Sequence, residues 1–374
     1  MTEGWEEKPL GDVAKLRQGK FVKAELFADE PSGVKVFSFY GGSSIRGYVD
    51  FYDYEHRQPF ITCRGSNCGL AFLTEEKASV SNICMAIEAE NEILNDFIYY
   101  WALSSSFEDV ISGSAQPQIT AKDLSKKEIA FPDSKDEQKA IAEVLSSLDD
   151  KIDLLQRQNA TLEALAETLF RQYFIEEAED DWGEAPLDKV AEYLNGLACQ
   201  KYPAKNPVER LPVLKIKDLK GGLSESSDWA TSKVPAEYIV ENGDIIFSWS
   251  ASLLVKLWDG PTCVLNQHLF KVTSALFPNW FVYQWTKHHM ERFIAIAETK
   301  ATTMGHIKRT DLAEAMVKIP DRATLVKMEP VFAPLHTKII TNNRQIATLK
   351  EKLDALLPKL MSGELRVSLE LTDA

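Results

Sequence analysis

The apolar positions of the chain follow two different periods, which predict two kinds of structure. Short apolar runs bounded by Gly, Ser, Asn and Pro predict β-strands, and longer stretches with helical spacing predict one helix in each half. The predicted strands include Val34–Phe39, Phe60–Cys63, Val213–Ile216 and Asp244–Trp249, and the helices cover Leu94–Leu103 and Trp280–Ile296. These two regions therefore have α+β character.

Two further segments carry apolar residues at alternating spacings of four and three, the pattern of a coiled-coil seam. The first follows a capping-box signal, Ser134-x-x-Glu137, and runs from Ile141 to Tyr173. Adding 187 to each number gives the second, from Met328 to Leu360. The central seam positions are Ile141, Leu148, Ile152, Leu155, Asn159 and Leu162 in the first helix and Leu335, Ile339, Asn342, Ile346, Leu349 and Leu353 in the second.

Each seam contains one asparagine, and this pair predicts the register of the two helices. A lone Asn in an apolar seam leaves its amide unpaired, so the two side chains should face each other. If the helices are antiparallel and Asn159 meets Asn342, paired residue numbers sum to 501 and every layer has a partner. Pro330 and Pro334 predict that the second helix starts near one of them, and Pro358 predicts a kink. Two amphipathic helices packed separately on their own domains are the alternative.

The chain is internally duplicated, which is seen in three collinear blocks. Trp5-x4-Leu10-x2-Val13-Ala14-x4-Gly19 returns 177 residues later, ending at Gly196. Ile119-x3-Asp123-Leu124-x7-Pro132-Asp133 returns after 188 residues, and Lys151-Ile152 with Arg157-Gln158-x-Ala160-Thr161-Leu162 returns after 187. Two copies of one unit, each a mixed segment followed by a long helix, explain all three offsets.

Composition and charge narrow the class of protein. The 374 residues include 42 basic and 56 acidic side chains, for a net charge of −14, and half of the excess lies in residues 134–180. An acidic balance weakens a nucleic-acid interpretation without excluding it. No apolar run is long enough for a membrane span, and the first residues lack a signal-peptide pattern. Five irregularly spaced cysteines indicate reduced thiols, and we therefore expect a cytoplasmic protein.

Taken together, these motifs resemble the specificity subunit of type I restriction-modification systems. The resemblance rests on the repeated opening and exit blocks, on Asp136-Glu137-Gln138-Lys139-Ala140-Ile141-Ala142 through Leu169-Phe170, and on the tail Leu360-Met361-Ser362-Gly363-Glu364-Leu365. It implies an α+β fold with two pseudo-twofold-related α/β target-recognition domains separated by an antiparallel coiled coil of two long helices. The implied segments are target-recognition domains at 1–133 and 179–320, spacer helices at 134–178 and 321–366, and a tail at 367–374.

The resemblance also implies a function and partners. Such a subunit reads a gapped, bipartite sequence in double-stranded DNA and docks two adenine-methyltransferase (modification) subunits, which carry S-adenosylmethionine; this chain itself holds no cofactor. It also allows restriction (translocase) subunits to assemble. The second copy departs from the family where Ala323-Thr324-Leu325-Val326-Lys327-Met328 replaces the Glu-Gln helix start. A coiled-coil scaffold that presents two protein-binding domains is the alternative function.

Signatures of catalysis are not found in the sequence, and we expect no enzyme activity in this chain. There is no Asn/Asp-Pro-Pro-aromatic methyltransferase motif, no phosphate loop and no Gly-x-Ser-x-Gly elbow. Cys63-x4-Cys68 with Cys84 lacks a fourth ligand at suitable spacing, and His288-His289 is typical of a partly exposed helix pair, so no metal site is predicted.

Candidate DNA contacts are then polar and basic residues in predicted loops, because phosphates are bound by Lys, Arg and Ser and bases are read by Arg, Lys, Asn or Gln. In the first domain they are Lys20, Lys23, Ser43, Arg46, Tyr48, Arg64, Ser66, Asn67, Gln116 and Gln118. In the second domain they are Lys201, Tyr202, Lys205, Lys217, Ser250, Ser252, Lys300, Thr302, Thr303, His306, Lys308 and Arg309. Ordinary surface solvation is the alternative for each, and Trp249 is predicted to be a core residue.

Overall fold

The computed structural model describes residues 3–113, 116–224, 226–299 and 305–367. The chain divides into two compact units. Unit 1 comprises Met1–Lys151 with Lys350–Ala374, and unit 2 comprises Ile152–Leu349. None of the helices in the described ranges combines the length and apolarity that a membrane span requires.

In both halves of the chain the opening block forms a strand, a short helix and a strand, and the exit block forms a short helix, a strand and a long helix, whereas the elements between these blocks differ in number. The helices are α1 Leu10–Val13, α2 Glu92–Ser104, α3 Ala121–Leu124, α4 Lys135–Arg171, α5 Leu187–Val190, α6 Ile216–Gly221, α7 Asn279–His288, α8 Met290–Thr299, α9 Arg309–Ala313 and α10 Arg322–Met361. The strands are β1 Trp5–Pro9, β2 Lys15–Gln18, β3 Phe37–Tyr40, β4 Ile45–Val49, β5 Pro59–Thr62, β6 Ala71–Leu73, β7 Ser79–Val80, β8 Cys84–Glu88, β9 Glu128–Pro132, β10 Gly183–Pro186, β11 Glu192–Asn195, β12 Arg210–Leu214, β13 Trp229–Thr231, β14 Ile239–Val240, β15 Ile245–Ser248, β16 Leu254–Leu257, β17 Cys263–Leu265, β18 Leu269–Thr273 and β19 Met316–Ile319.

Each unit is built around a four-stranded antiparallel sheet with the same strand order. In unit 1 the order is β2-β8-β5-β6, and in unit 2 it is β11-β18-β15-β16. A second sheet accompanies each of them, β4-β3-β7 in unit 1 and β13-β12-β17-β14 in unit 2. The two units therefore share a frame, although their sequences between the repeated blocks differ.

The repeated opening and exit blocks pair with each other within each unit. Strand β1 runs antiparallel to β9, and β10 runs antiparallel to β19. The fully buried Leu10 donates its backbone N–H to Lys127, and the fully buried Leu187 donates to Ala315, both at 2.8 Å. The two blocks therefore recur together because they form one ladder that closes each domain.

The predicted α+β class with two long helices is confirmed, but the start of the second helix near Pro330 or Pro334 is wrong. Helix α10 begins at Arg322, where Asp321 caps it by accepting a hydrogen bond from the Thr324 N–H at 2.6 Å. The helix continues through Pro330 and Pro334 and also through Pro358 to Met361. Pro330 and Pro334 lie on its exposed side, so carbonyls that lose a helical partner there can bind water.

The long helices run antiparallel in unit 2. Ile152 and Leu155 of α4 form an apolar cluster with Ile346 and Leu349 of α10. Further along α4, Phe170 packs against Phe332, with ring centroids 6.5 Å apart. Residue numbers therefore fall along α10 as they rise along α4, which is the direction that the asparagine register requires. The parts of α4 and α10 that belong to unit 1 also pack together. Ile141 and Leu145 of α4 share a core with Leu356, Leu360 and Met361 of α10.

Two smaller expectations need correction. The predicted helix Trp280–Ile296 is two helices, α7 and α8, which meet at His289. The predicted strand Val34–Phe39 begins only at Phe37, because Val34 and Val36 are exposed and do not pair. The second error arises because the sequence pattern cannot separate exposed apolar residues from core positions.

Candidate nucleic-acid interface

Four chain segments of unit 1 meet at one end of its four-stranded sheet. Gly19, after β2, donates its N–H to the Cys84 carbonyl at 3.1 Å, and Cys63, after β5, donates to Ile83 at 2.8 Å. Ile119 donates to the Cys63 carbonyl at 3.0 Å, which brings the 116–118 segment beside the end of β5. We call the side chains of Gln18, Lys20, Arg64, Asn82 and Gln118 edge 1.

The segments of unit 2 meet in the same way at the corresponding end of its sheet. Gly196 donates its N–H to the Leu269 carbonyl at 3.0 Å, Gln267 donates to Leu197 at 2.8 Å, and Ile307 donates to Trp249 at 3.0 Å. We call the side chains of Asn195, Leu197, Ser250, Gln267 and His306 edge 2. The structural counterparts are Gln18 and Asn195, Lys20 and Leu197, Arg64 and Ser250, Asn82 and Gln267, and Gln118 and His306.

The repeated glycine explains why the two edges share a backbone frame. A Cβ on Gly19 would lie 2.1 Å from the Val80 carbonyl oxygen, and a Cβ on Gly196 would lie 2.3 Å from the Asn266 oxygen. No side chain fits at these distances, so the first strand of each sheet can approach the turn before β8 or β18 only with glycine. The glycine therefore recurs after 177 residues because both units need the same close backbone contact.

The side chains on this frame differ between the edges. In unit 1, Arg64 and Gln118 are exposed and joined by an antiparallel backbone bridge. In unit 2 the corresponding bridge joins Ser250 to the half-buried His306. Lys20 of edge 1 forms an ion pair with Asp53, whereas its counterpart Leu197 is apolar. One backbone arrangement thus presents a basic, amide-rich surface in unit 1 and a largely uncharged one in unit 2.

Trp249 lies at edge 2. The sequence predicts a core residue, but the side chain is not fully buried. It is half-buried, and its indole N–H donates to Asn195 Oδ1 at 3.2 Å. Its ring lies 5.9 Å from that of His268 and 6.4 Å from that of His306. The three rings form an aromatic and imidazole surface that has no counterpart at edge 1, where Cys63 occupies the position of Trp249.

Other candidates of unit 1 divide between this edge and the second sheet. Ser66 and Asn67 are exposed in the turn after Arg64, and Gln116 is exposed two residues before Gln118. Ser43 belongs to a loop whose Gly42 N–H donates to Cys84 Sγ at 3.2 Å, beside edge 1. The predicted loop around Arg46 and Tyr48 is instead strand β4, and Lys23 is exposed before a short 3-10 helix. Arg46 lies over the ring of Phe27 at 5.1 Å, and Tyr48 bonds to Ala28 through its backbone.

The candidates of unit 2 are more dispersed. Lys201 and Tyr202 are exposed at the end of a short 3-10 helix, Cys199–Lys201, that follows Leu197, and Ser252 is exposed after β15. Lys205, Lys217 and Lys308 are exposed elsewhere. Lys217 Nζ bonds to Ser226 at 3.2 Å, and Lys308 occupies the N-cap position of α9, where its backbone N–H donates to Asp311 Oδ2 at 2.6 Å. Lys300, Thr302 and Thr303 lie outside the described residues.

Two candidates of unit 2 have structural surroundings that the sequence does not predict. Ser250 is only 3 % exposed, and its hydroxyl has no hydrogen-bond partner in the described part of the chain. Arg309 donates to the Tyr193 carbonyl at 3.2 Å and lies over the Phe270 ring at 5.6 Å. Its guanidinium group therefore supports the sheet as well as reaching the surface.

Sequence reasoning missed Gln18, Asn82, Asn195, Gln267 and His268. Asn82 and Gln267 lie in the turns that close against the repeated glycines, and Gln18 donates to the Asn82 carbonyl at 2.6 Å. The repeat itself was the available signal, because Gln18 and Asn195 both directly precede the aligned glycines.

The cysteines near edge 1 are free thiols, of which Cys63 and Cys84 are buried and Cys68 is half-buried. Burial raises the pKa of Cys63 to about 11 and also raises the pKa of Cys68 and Cys84. Across the described ranges, no cluster of three His, Cys, Asp or Glu side chains could hold a metal ion.

Comparison with known proteins agrees with the duplicated frame. Residues 2–164 and 179–351 both match the family model described as the type I restriction modification DNA specificity domain. The chain therefore belongs to this family, and the resemblance found in the sequence is confirmed.

Individual relatives carry the same description. The type I restriction enzyme MjaIX specificity subunit of Methanocaldococcus jannaschii is 29% identical over 306 residues, covering 74% of this chain and 70% of that protein. The EcoBI specificity subunit of Escherichia coli is 24% identical over 192 residues, covering 50% of this chain and 35% of the relative. The crystal structure of a type I restriction-modification S subunit from M. genitalium shares the fold, with a TM-score of 0.63, 16% identity and coverage of 95% and 96%.

Proposed function

We propose that this chain is the non-catalytic DNA-recognition subunit of a type I restriction-modification enzyme. Edge 1 reads one half of a gapped, bipartite target in double-stranded DNA, and edge 2 reads the other half. The observation that carries the proposal is the repetition of one backbone frame with different polar side chains. A protein that reads two unlike half-sites needs this combination, because the frame sets the approach to DNA and the side chains set the sequence.

The chemistry of base reading supports edge 1 in particular. Arg64 is exposed, and no side-chain hydrogen bond or ion pair engages its guanidinium among the described residues. Arginine recognises guanine through O6 and N7, and the amides of glutamine and asparagine recognise adenine through N6 and N7. Gln118, joined to Arg64 by the backbone bridge, supplies such an amide beside it.

Methylation is assigned to partners of this chain. Two modification subunits dock on it and carry S-adenosylmethionine. The net charge of −14 supports this division of labour, because an acidic chain needs basic surface from its partners to hold DNA phosphates. The isolated subunit is accordingly expected to bind DNA weakly.

The test uses the full chain assembled with its modification subunits. Methylated adenines are mapped in DNA treated with the complex, and binding to the resulting motif is measured by gel shift across a salt series. We expect a two-part motif with a fixed gap, and binding that weakens steeply with salt. A complex that neither methylates nor binds DNA sequence-specifically would instead favour a protein-binding scaffold and overturn the proposal.

Arg64→Ala sharpens this test. If Arg64 reads a base, the substitution costs roughly 1–3 kcal/mol at one base pair of one half-site and leaves the other half-site unchanged. Lys15→Ala, at the opposite end of β2, removes one positive charge from unit 1 as a matched control. An equal loss on every DNA sequence would show that Arg64 contacts phosphate instead.

A further inference from the structure

The two edges share one chemical feature despite their differences. The turn before β8 carries Asn82, and the turn before β18 carries Gln267. These residues are structural counterparts, because Val80 and Leu265 accept equivalent backbone hydrogen bonds from Lys20 and Leu197. Both units therefore place a side-chain amide at the same point of the frame, and the two amides differ in reach by one methylene.

Neither amide serves the protein interior. Asn82 is half-buried, and its side chain makes no hydrogen bond within the described part of the chain. The Gln267 amide approaches only the exposed His268, with Nε2 atoms 3.4 Å apart. An amide that caps a helix or pairs a buried polar group would bond to the backbone or to that group. Neither amide makes such a bond, so both remain available for an external partner.

The backbone beneath both amides is held in place. Lys20 donates to Val80 at 3.1 Å and Cys84 donates to Ser81 at 2.9 Å in unit 1, while Gln267 donates to Leu197 at 2.8 Å and Leu269 donates to Asn266 at 2.9 Å in unit 2. The close glycine contacts add further restraint. A neutral amide brings no charge to a phosphate contact, whereas an amide on a rigid turn can donate and accept at one base edge.

We infer that Asn82 and Gln267 are specificity-determining residues, each reading an adenine in its own half-site through a bidentate contact to N6 and N7. This inference rests on the proposed function. It identifies adenine as a base that is read in each half-site, which the proposed function does not specify. Each half-site then contains an A·T pair whose recognition depends on one amide, and substituting that amide relaxes this pair alone.

The experiment uses the full chain in complex with its modification subunits. Wild type, Asn82→Ala and Gln267→Ala complexes methylate a library of randomised targets, and sequencing of the methylated products gives the preference at each position. We expect Asn82→Ala to lower discrimination about 5- to 150-fold at one A·T pair of the first half-site. Gln267→Ala should do the same in the second half-site.

The unaltered half-site of each variant is an internal control for folding and assembly, and Gln156→Ala removes an exposed amide from α4 as a matched control. Unchanged preferences, an equal loss at all sequences, or a change at a G·C pair would overturn the inference while leaving the proposed function intact. Transfer of the effect to Asn67→Ala would assign the reading to the turn after Arg64 instead. If the wild-type complex itself showed no sequence preference, the proposed function would be wrong.

Discussion

Asn342 donates a hydrogen bond from its side-chain amide to Asn159 Oδ1 at 2.8 Å, across the helix pair of unit 2. Asn159 in turn donates to Asn343 Oδ1 at 2.7 Å. Asn342 is fully buried, so this polar layer lies among apolar ones and selects the register in which the three amides meet.

Replacing one partner of this layer should cost more than replacing both. Asn159→Leu removes the 2.8 Å partner of the buried Asn342 amide and leaves it only a 3.5 Å contact with Gln158 Oε1. We expect the free energy of unfolding to fall by about 1–3 kcal/mol. Asn159→Leu combined with Asn342→Leu should recover only part of this loss, because apolar residues then face each other while Asn343 still lacks its donor. Urea denaturation of the full chain measures both variants, with Gln156→Ala as the control. Strictly additive losses would contradict a direct interaction.

The repeated glycines should not tolerate a side chain. Gly19→Ala places a Cβ against the Val80 carbonyl, and we expect a loss of stability of about 1–3 kcal/mol or more, as for other overpacked sites. Gly196→Ala should behave alike in unit 2. The midpoint of urea unfolding checks this, and Gly183→Ala, whose Cβ would meet no atom within 4 Å, is the matched control. Wild-type midpoints for both edge variants would show that the contact can relax.

A buried histidine should make the protein sensitive to acid. Burial, together with the positive charge of Lys287, lowers the pKa of His336 to about 4, and its Nε2 has no partner in the described ranges. The unfolded chain binds this proton near pH 6.5, so stability falls as the pH drops from about 7 towards 4.

We expect a loss of about 2 kcal/mol from this group between pH 7 and pH 5. His336→Phe should flatten the dependence of the melting temperature on pH. It will not abolish it, because burial also lowers the pKa of His289 to about 4. Parallel pH profiles for wild type and His336→Phe would exclude this role.

In unit 1, Tyr100 donates its hydroxyl to Asp149 Oδ2 at 2.8 Å. Burial raises the pKa of Asp149, and the Tyr100 hydrogen bond opposes that shift. Tyr100→Phe should therefore raise the Asp149 pKa further and cost about 1–3 kcal/mol at pH 7. NMR titration of the carboxyl measures the shift. Tyr99→Phe is the control, since the Tyr99 hydroxyl makes no hydrogen bond within the described residues, and an unchanged Asp149 pKa in Tyr100→Phe would contradict the prediction.

The sequence predicts local and repeated features well and contacts between distant strands poorly. The heptad spacing and the single asparagine of each seam predict the two long helices and their antiparallel direction. Asn82 and Gln267 escape notice because only the pairing of β2 with β8, and of β11 with β18, brings them to an edge. Pro330 and Pro334 mislead because the sequence does not reveal that they lie on the exposed side of α10.

The close approach at Gly19 and Gly196 is made by backbone atoms, so it is indifferent to the identity of the side chains around it. Substitutions at the surrounding positions can accumulate in one repeat without disturbing its fold or the other repeat. The two halves of the chain are thus free to diverge separately, and a small number of variants of each can yield many combined preferences during evolution.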